Sequence, residues 1–189
     1  MDIVGRVKGI LLDPKSEWQA IEGEPGDAGS LFTNYVMYVA AIPPIATFIG
    51  HSIIGIGPYR AGIFGGLIRA IITYVLTLVG VYVMAFVIDY LAGVFGGRKD
   101  FGNAMKVASY APTAAWVAGI FNIIPLLGFL AILGLYSLYL LHTGIAALMK
   151  PPADKALIYT IAAVVCIIIV WIVIVMIPFA LLGVGTLMH

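Results

Sequence analysis

Few side chains in this chain could do chemistry inside an apolar environment, so those few carry the functional reading. Asp89 is the one carboxylate within a long apolar run, with Ala85, Ala92 and Gly93 at helical spacing around it. A carboxylate there is a candidate proton or cation site, or a structural hydrogen-bond acceptor packed against another helix. His142 lies about two turns before Lys150, and Tyr110 lies a similar depth from the nearest charged link. If their helices touch, Asp89, Tyr110 and His142 form one polar layer in which His and Asp share a proton near neutral pH. One His and one Asp are too few for a tetrahedral metal site. Arg69 has no acid anywhere between Ala28 and Ile88, so it is expected to snorkel towards lipid phosphates. With His51 and Asn122 it makes a second candidate, an anion site on the opposite side of the membrane.

The setting of these residues follows from composition. The 189 residues are 62% hydrophobic and 10% charged, against about 45–50% and about 25% in ordinary soluble domains. That excludes a water-soluble fold and extended disorder alike. A net charge of +1 leaves no electrostatic footprint for nucleic acid. Cys166 is the single cysteine, so an internal disulfide and a thiolate metal cage are excluded. Walker loop, zincin His pair and Gly-x-Ser-x-Gly elbow are all missing. No cofactor is implied, and the reading is non-enzymatic.

A bilayer core of about 30 Å takes roughly 20 helical residues. Five stretches meet that length, at about 31–54, 67–94, 104–124, 126–148 and 156–182. The expectation is an all-α, polytopic bundle of five transmembrane helices, residues 31–189, preceded by a short amphipathic segment, residues 1–30. Pro125 after Asn122-Ile123-Ile124 forces a tight turn, so the third and fourth spans form an antiparallel hairpin. The third span carries Ala104, Ala108, Ala111, Ala115 and Gly119, a small-residue ladder that suits the bundle centre or a homo-oligomer seam. Pro43-Pro44 and Pro112 should bend their helices. In the amphipathic segment Ile3, Val4, Val7, Ile10 and Leu11 share one helical face, and Asp13-Pro14 reads as a cap and first position of a second helix. The pair is expected to lie on the membrane surface.

Eight of the ten basic residues (Arg6, Lys8, Lys15, Arg98, Lys99, Lys106, Lys150, Lys155) fall on one side of this topology, against Arg60 and Arg69 on the other. The positive-inside rule puts the eight, and the N-terminus, in the cytoplasm and the C-terminus outside.

The opening Ile10-Leu-Leu-Asp-Pro-Lys-Ser-Glu-Trp-Gln-Ala-Ile21 resembles the start of prokaryotic members of the Yip family (Ypt/Rab-GTPase-interacting proteins). Ser109-Tyr110-Ala111-Pro112 is similar to the tyrosine and nearby proline that open that family's third span, so Tyr110 and Pro112 are the motif positions carried over. The Asp-Leu-Tyr-Gly-Pro signature of eukaryotic members is missing, and Ser109 stands where a glycine is expected. The resemblance implies an integral membrane protein without established chemistry, set in the inner membrane of a prokaryote. A Rab-type GTPase would be a partner only in a eukaryote, which the missing signature argues against. The expected partners are the lipid bilayer, other membrane proteins or a second copy of the chain. The main expectation is an adaptor or organiser of membrane partners. The rivals are a small ion, proton or solute transporter or channel built on the Asp89 layer, and a lipid-handling protein.

Overall fold

The computed structural model describes residues 2–55 and 62–182, leaving aside the side chains of 178–182. Arg60 and the tail ending at His189 therefore lie outside the described residues. Among the described residues every regular element is helical.

Two short helices open the chain. Helix α1 (Ile3–Leu12) is capped by Asp2, whose carboxylate accepts from the Gly5 N–H at 3.0 Å. Helix α2 (Pro14–Glu22) starts with proline where the helix needs no N–H, and Asp13 accepts from the Ser16 N–H at 3.3 Å. Helix α3 (Ala28–Ile54) is interrupted at Ala40-Ala41, just before Pro43-Pro44, and widens into π-turns at Phe32–Val36 and Ile49–Ile54. Proline removes ladder donors, and neighbouring turns adjust to it. Helix α4 (Ile63–Phe95) runs unbroken for 33 residues, about 50 Å at helical rise and longer than a bilayer core. It stops at Gly96, whose φ of 74° favours glycine.

Helix α5 (Phe101–Tyr110) is capped by Asp100 and ends at Ala111-Pro112. The chain continues as α6 (Thr113–Ala118) and a 3₁₀ turn, Gly119–Ile123. Helix α7 (Pro125–Met149) begins as 3₁₀ helix to Leu135 and closes in a π-turn at Ile145–Met149. Helix α8 (Ala153–Leu182) completes the bundle.

Among the described residues four helices are long and apolar enough to cross a membrane: α3, α4, α7 and the stretch of α8 to Ile177. The expected third span, 104–124, is not one helix, because Pro112 has no N–H to continue the ladder and the chain turns there. Of the five expected spans, four are thus single long apolar helices among the described residues. The hairpin at Pro125 is as expected: the Ala115 N–H donates to Ser137 Oγ at 2.9 Å, and Gly134 lies against the Ala115 backbone.

Helix α5 is the centre, with every residue from Ala104 to Tyr110 buried. Around it pack Tyr35 and Val36 of α3, Ile88 and Ala92 of α4, Leu140 and Ile145 of α7, and Ile10, Trp18 and Ile21 from the N-terminal pair. The last three correct the expectation of surface helices. Much of their apolar surface is spent on the bundle itself, since Ile10 and Ile21 are 0% exposed and Trp18 1%, while Val4 and Leu12 stay exposed. The lipid-facing surface is instead carried by residues such as Phe64, Phe86, Leu126 and Trp171, all exposed.

Candidate functional site

The polar groups that the fold gathers lie where α1 and α2 meet the centre of the bundle. Arg6 stands one turn before Ile10 on the inward face of α1. Its guanidinium pairs with Glu17 at 2.5 Å and with Glu24, and sits 5.5 Å above the Tyr110 ring. Its side chain is only 12% exposed. Burial alone would lower the Arg6 pKa, but the Glu24 hydrogen bond, Tyr110 and the two carboxylates outweigh it, and the net shift is upward. Arg6 is therefore a permanent cation.

Beneath it, Trp18 meets Tyr110 edge to face with centroids 6.4 Å apart, and Tyr35 meets Tyr110 at 4.7 Å. The indole N–H of Trp18 donates to Thr143 Oγ1 at 3.1 Å. Gly144 is the reason the indole fits, since a Cβ there would lie 2.6 Å from the ring. Thr113 Oγ1 gives its one proton to the Tyr110 carbonyl at 2.6 Å. Tyr35 must then donate in its 2.7 Å bond to that same hydroxyl. The Thr113 bond occupies a carbonyl at the proline break and ties α3 to it.

Lys106 closes the arrangement. It is 2% exposed, and its ammonium donates to the Glu24 carbonyl at 2.6 Å and the Glu22 carbonyl at 3.4 Å. Glu22 in turn pairs with Lys150 on the α7–α8 link. The hydrogen bond from Lys150 holds the Glu22 carboxyl below the usual range. Four separate links thus hold one short helical pair on the bundle.

The expected polar layer is divided. Tyr110 belongs to the Arg6 cluster. His142 Nδ1 bonds Thr160 Oγ1 of α8 at 2.9 Å. Asp89 has a buried oxygen with no hydrogen-bond partner among the described residues, beside Ile88 whose carbonyl accepts from Tyr159 of α8 at 2.5 Å. No ion pair joins Asp89 to His142 among the described residues. Pro112 marks the helix break, as a motif position beside the buried tyrosine. The opposite-side candidates fare differently: His51, Arg69 and Asn122 line one cavity of about 310 Å³.

Sequence reasoning missed Arg6, Glu17, Trp18, Glu24, Tyr35, Lys106 and Thr113 as a cluster. One signal was present. Arg6 stands at i+3 from Ile3 and i−4 from Ile10, inside the apolar arc of α1, where a solvated arginine has no place. Among the described residues no three His, Cys, Asp or Glu side chains are grouped to hold a metal. The cluster combines cations, carboxylates and aromatic rings, and its contacts hold α1 and α2 against the bundle.

The chain is 31% identical over 163 residues to the inner membrane protein YohC of Escherichia coli strain K12, covering 82% of this chain and 84% of the relative. The protein of the same name from strain CFT073 matches to the same extent. No solved structure matches. The Yip1 domain model matches residues 8–185, from within α1 to beyond the last described residue, and the chain belongs to the Yip1 domain family of membrane proteins.

Proposed function

We propose that this protein is a non-enzymatic adaptor or organiser of membrane partners in a prokaryotic inner membrane. Its α1–α2 pair is a fixed platform on the cytoplasmic face. The observation that carries the reading is the anchoring of that pair by Arg6 over the Tyr110 ring, and by Trp18, Lys106 and Glu22. A segment meant only to float on lipid would leave its apolar face for lipid. Here the inward face is consumed by the bundle, and the outward face presents Lys8, Lys15 and Gln19 together with Asp2, Asp13, Val4 and Leu12. Lys8 and Lys15, set beside the exposed Asp2 and Asp13, give that face a mixed charge pattern that suits a complementary charged segment of another membrane protein.

The inner-membrane setting is supported by the relative's name and by the apolar helices. The broken segment α5–α6 with its 3₁₀ turn serves as a fifth crossing. It runs antiparallel to α7, and its Lys106 end and Asn122 end neighbour opposite ends of the bundle. Together with the basic-residue count, a fifth crossing supports an N-terminus in the cytoplasm and a C-terminus outside.

The test is recovery of membrane partners with the wild type, with residues 1–24 removed, and with Lys8→Glu/Lys15→Glu in the intact chain. Both altered forms should lose the partners that the wild type recovers. Undiminished recovery with the double charge reversal would remove the platform from the function. A transport reading has the orphaned Asp89 oxygen in its favour. It predicts flux in proteoliposomes that falls in Asp89→Asn, whereas the adaptor reading predicts none from either.

A further inference from the structure

The link between α4 and α5 carries two adjacent cations, Arg98 and Lys99. Its backbone is fixed. The Gly97 N–H donates to the Ala92 carbonyl at 2.8 Å, and the Arg98 N–H donates to the Met149 carbonyl, at the end of α7, at 2.7 Å. Only glycine permits this approach at position 97, since a Cβ there would stand 2.8 Å from the Met149 carbonyl oxygen. The link is thus tied both to its own helix and to α7. The two cations are held at one place on the rim of the bundle.

The stem of Lys99 lies across Gly93 of α4, where a Cβ would stand 3.1 Å from Lys99 Cδ and 3.8 Å from Cε. Gly93 is itself exposed, as are Phe86, Tyr90 and Val94 on that side of the helix. The stem therefore rests on the lipid-facing stripe of α4, and its ammonium forms no ion pair among the described residues. The Arg98 side chain is 66% exposed, and its contact with Asp100 is 3.8 Å long, against about 2.7–2.9 Å for a charge-assisted hydrogen bond. Asp100 is engaged elsewhere, accepting from the Asn103 backbone and side-chain amides at 3.1 Å each. Of the other acids at this end, Glu22 pairs with Lys150, Asp27 caps α3, and Asp154 is matched by Lys155 beside it. Two cations and one loosely held carboxylate leave a positive spot next to an apolar stripe.

We infer that this rim binds an anionic phospholipid. Its phosphate is held by the Lys99 ammonium and the Arg98 guanidinium, and an acyl chain lies along Val94, Tyr90 and Phe86. A guanidinium matches phosphate bidentately, and an ammonium adds a compact point charge. Tyr90, one turn before Gly93, stands where aromatic side chains meet headgroups. Lipid is the occupant because the stripe continues into the lipid-facing surface of the span, through the exposed Val83, Val79 and Val75. Charge selects the class of lipid, since basic side chains at a membrane edge attract anionic headgroups.

The intact protein, purified and delipidated in detergent, is given dimyristoyl phosphatidylglycerol or dimyristoyl phosphatidylcholine at equal concentration, and retention is read by native mass spectrometry. The wild type should retain the anionic lipid in preference to the zwitterionic one. Arg98→Gln/Lys99→Gln should weaken phosphatidylglycerol retention about thirtyfold and Lys99→Gln alone about fivefold, the scale of one basic side chain near a membrane surface. Phosphatidylcholine retention should stay as in wild type. Gly93→Leu keeps both charges but takes the seat of the Lys99 stem, and should also cost about fivefold. Equal retention of the two lipids by the wild type, or phosphatidylglycerol retention undiminished in the double variant, overturns the proposal. Retention by Gly93→Leu equal to wild type overturns it as well, because net charge and not a built seat would then attract the lipid. Should the double variant fail to fold, Lys99→Gln and Gly93→Leu decide by the same criteria.

Discussion

Arg6 concentrates more polar contacts than any neighbouring side chain on α1, and its replacement is correspondingly informative. Arg6→Ala leaves Glu17 and Glu24 facing each other and the Tyr110 ring uncovered. The pair is partly exposed, so solvent screens part of the loss, and about 1–3 kcal/mol of stability should go. Chemical unfolding in detergent measures it. Tyr35→Phe removes one buried hydroxyl donor to Thr113 and should cost about 0.5–1.5 kcal/mol by the same assay. Glu22 gives a pH dependence. Its carboxyl is held below the ordinary value of 4.5 by Lys150. The contribution is present above that value and is lost as pH falls through the lowered one. In a Trp116→Phe/Trp171→Phe background, Trp18 emission should shift to the red on acidification below about pH 4.5. Glu22→Gln should abolish the part of that shift due to Lys150. The Arg6 cluster was only partly legible beforehand. Tyr110 stood out by its motif, but Glu17 and Glu24 are far from Arg6 in sequence, and only the fold brings them together.

At the scale of elements, local chemistry was readable and coverage was not. The Asp13-Pro14 start of α2, the turn at Pro125 and the central place of the small-residue ladder all follow from residue types. An amphipathic face, however, reports that something apolar covers it, and protein and lipid are alike in this respect. Hence α1 and α2 read as surface helices although Ile10, Trp18 and Ile21 are buried in the bundle. The division of 104–124 at Pro112 is a second case, since prolines inside membrane helices range from gentle kinks to full breaks. The docking of α2 depends on a glycine in α7. Gly144→Ala puts a methyl into the Trp18 ring and should cost about 1–3 kcal/mol. It should also raise the exchange rate of α2 amides above that of wild type, with those of α4 unchanged. An α2 as protected as in wild type would show that the indole is not the anchor.

For the whole molecule, topology is the property on which location and partners both depend. Single cysteines introduced at Lys15, Lys99 and Lys155, in a Cys166→Ser background, should be labelled by an impermeant maleimide only when the cytoplasmic side is open. A cysteine at Ile124 should be labelled from the outside. Labelling at Lys99 and Ile124 from the same side would leave α5–α6 as a re-entrant segment and the bundle with four crossings. The central claim is that the α1–α2 pair acts while docked. A short bismaleimide between Glu22→Cys and Lys150→Cys, in the same background, fixes the pair where the ion pair now holds it. Arg6→Ala/Trp18→Ala instead releases it. Partner recovery from membranes should be kept by the cross-linked protein and lost by the released one. Recovery lost on cross-linking but kept on release would contradict the account, because the functional form would then be the undocked segment.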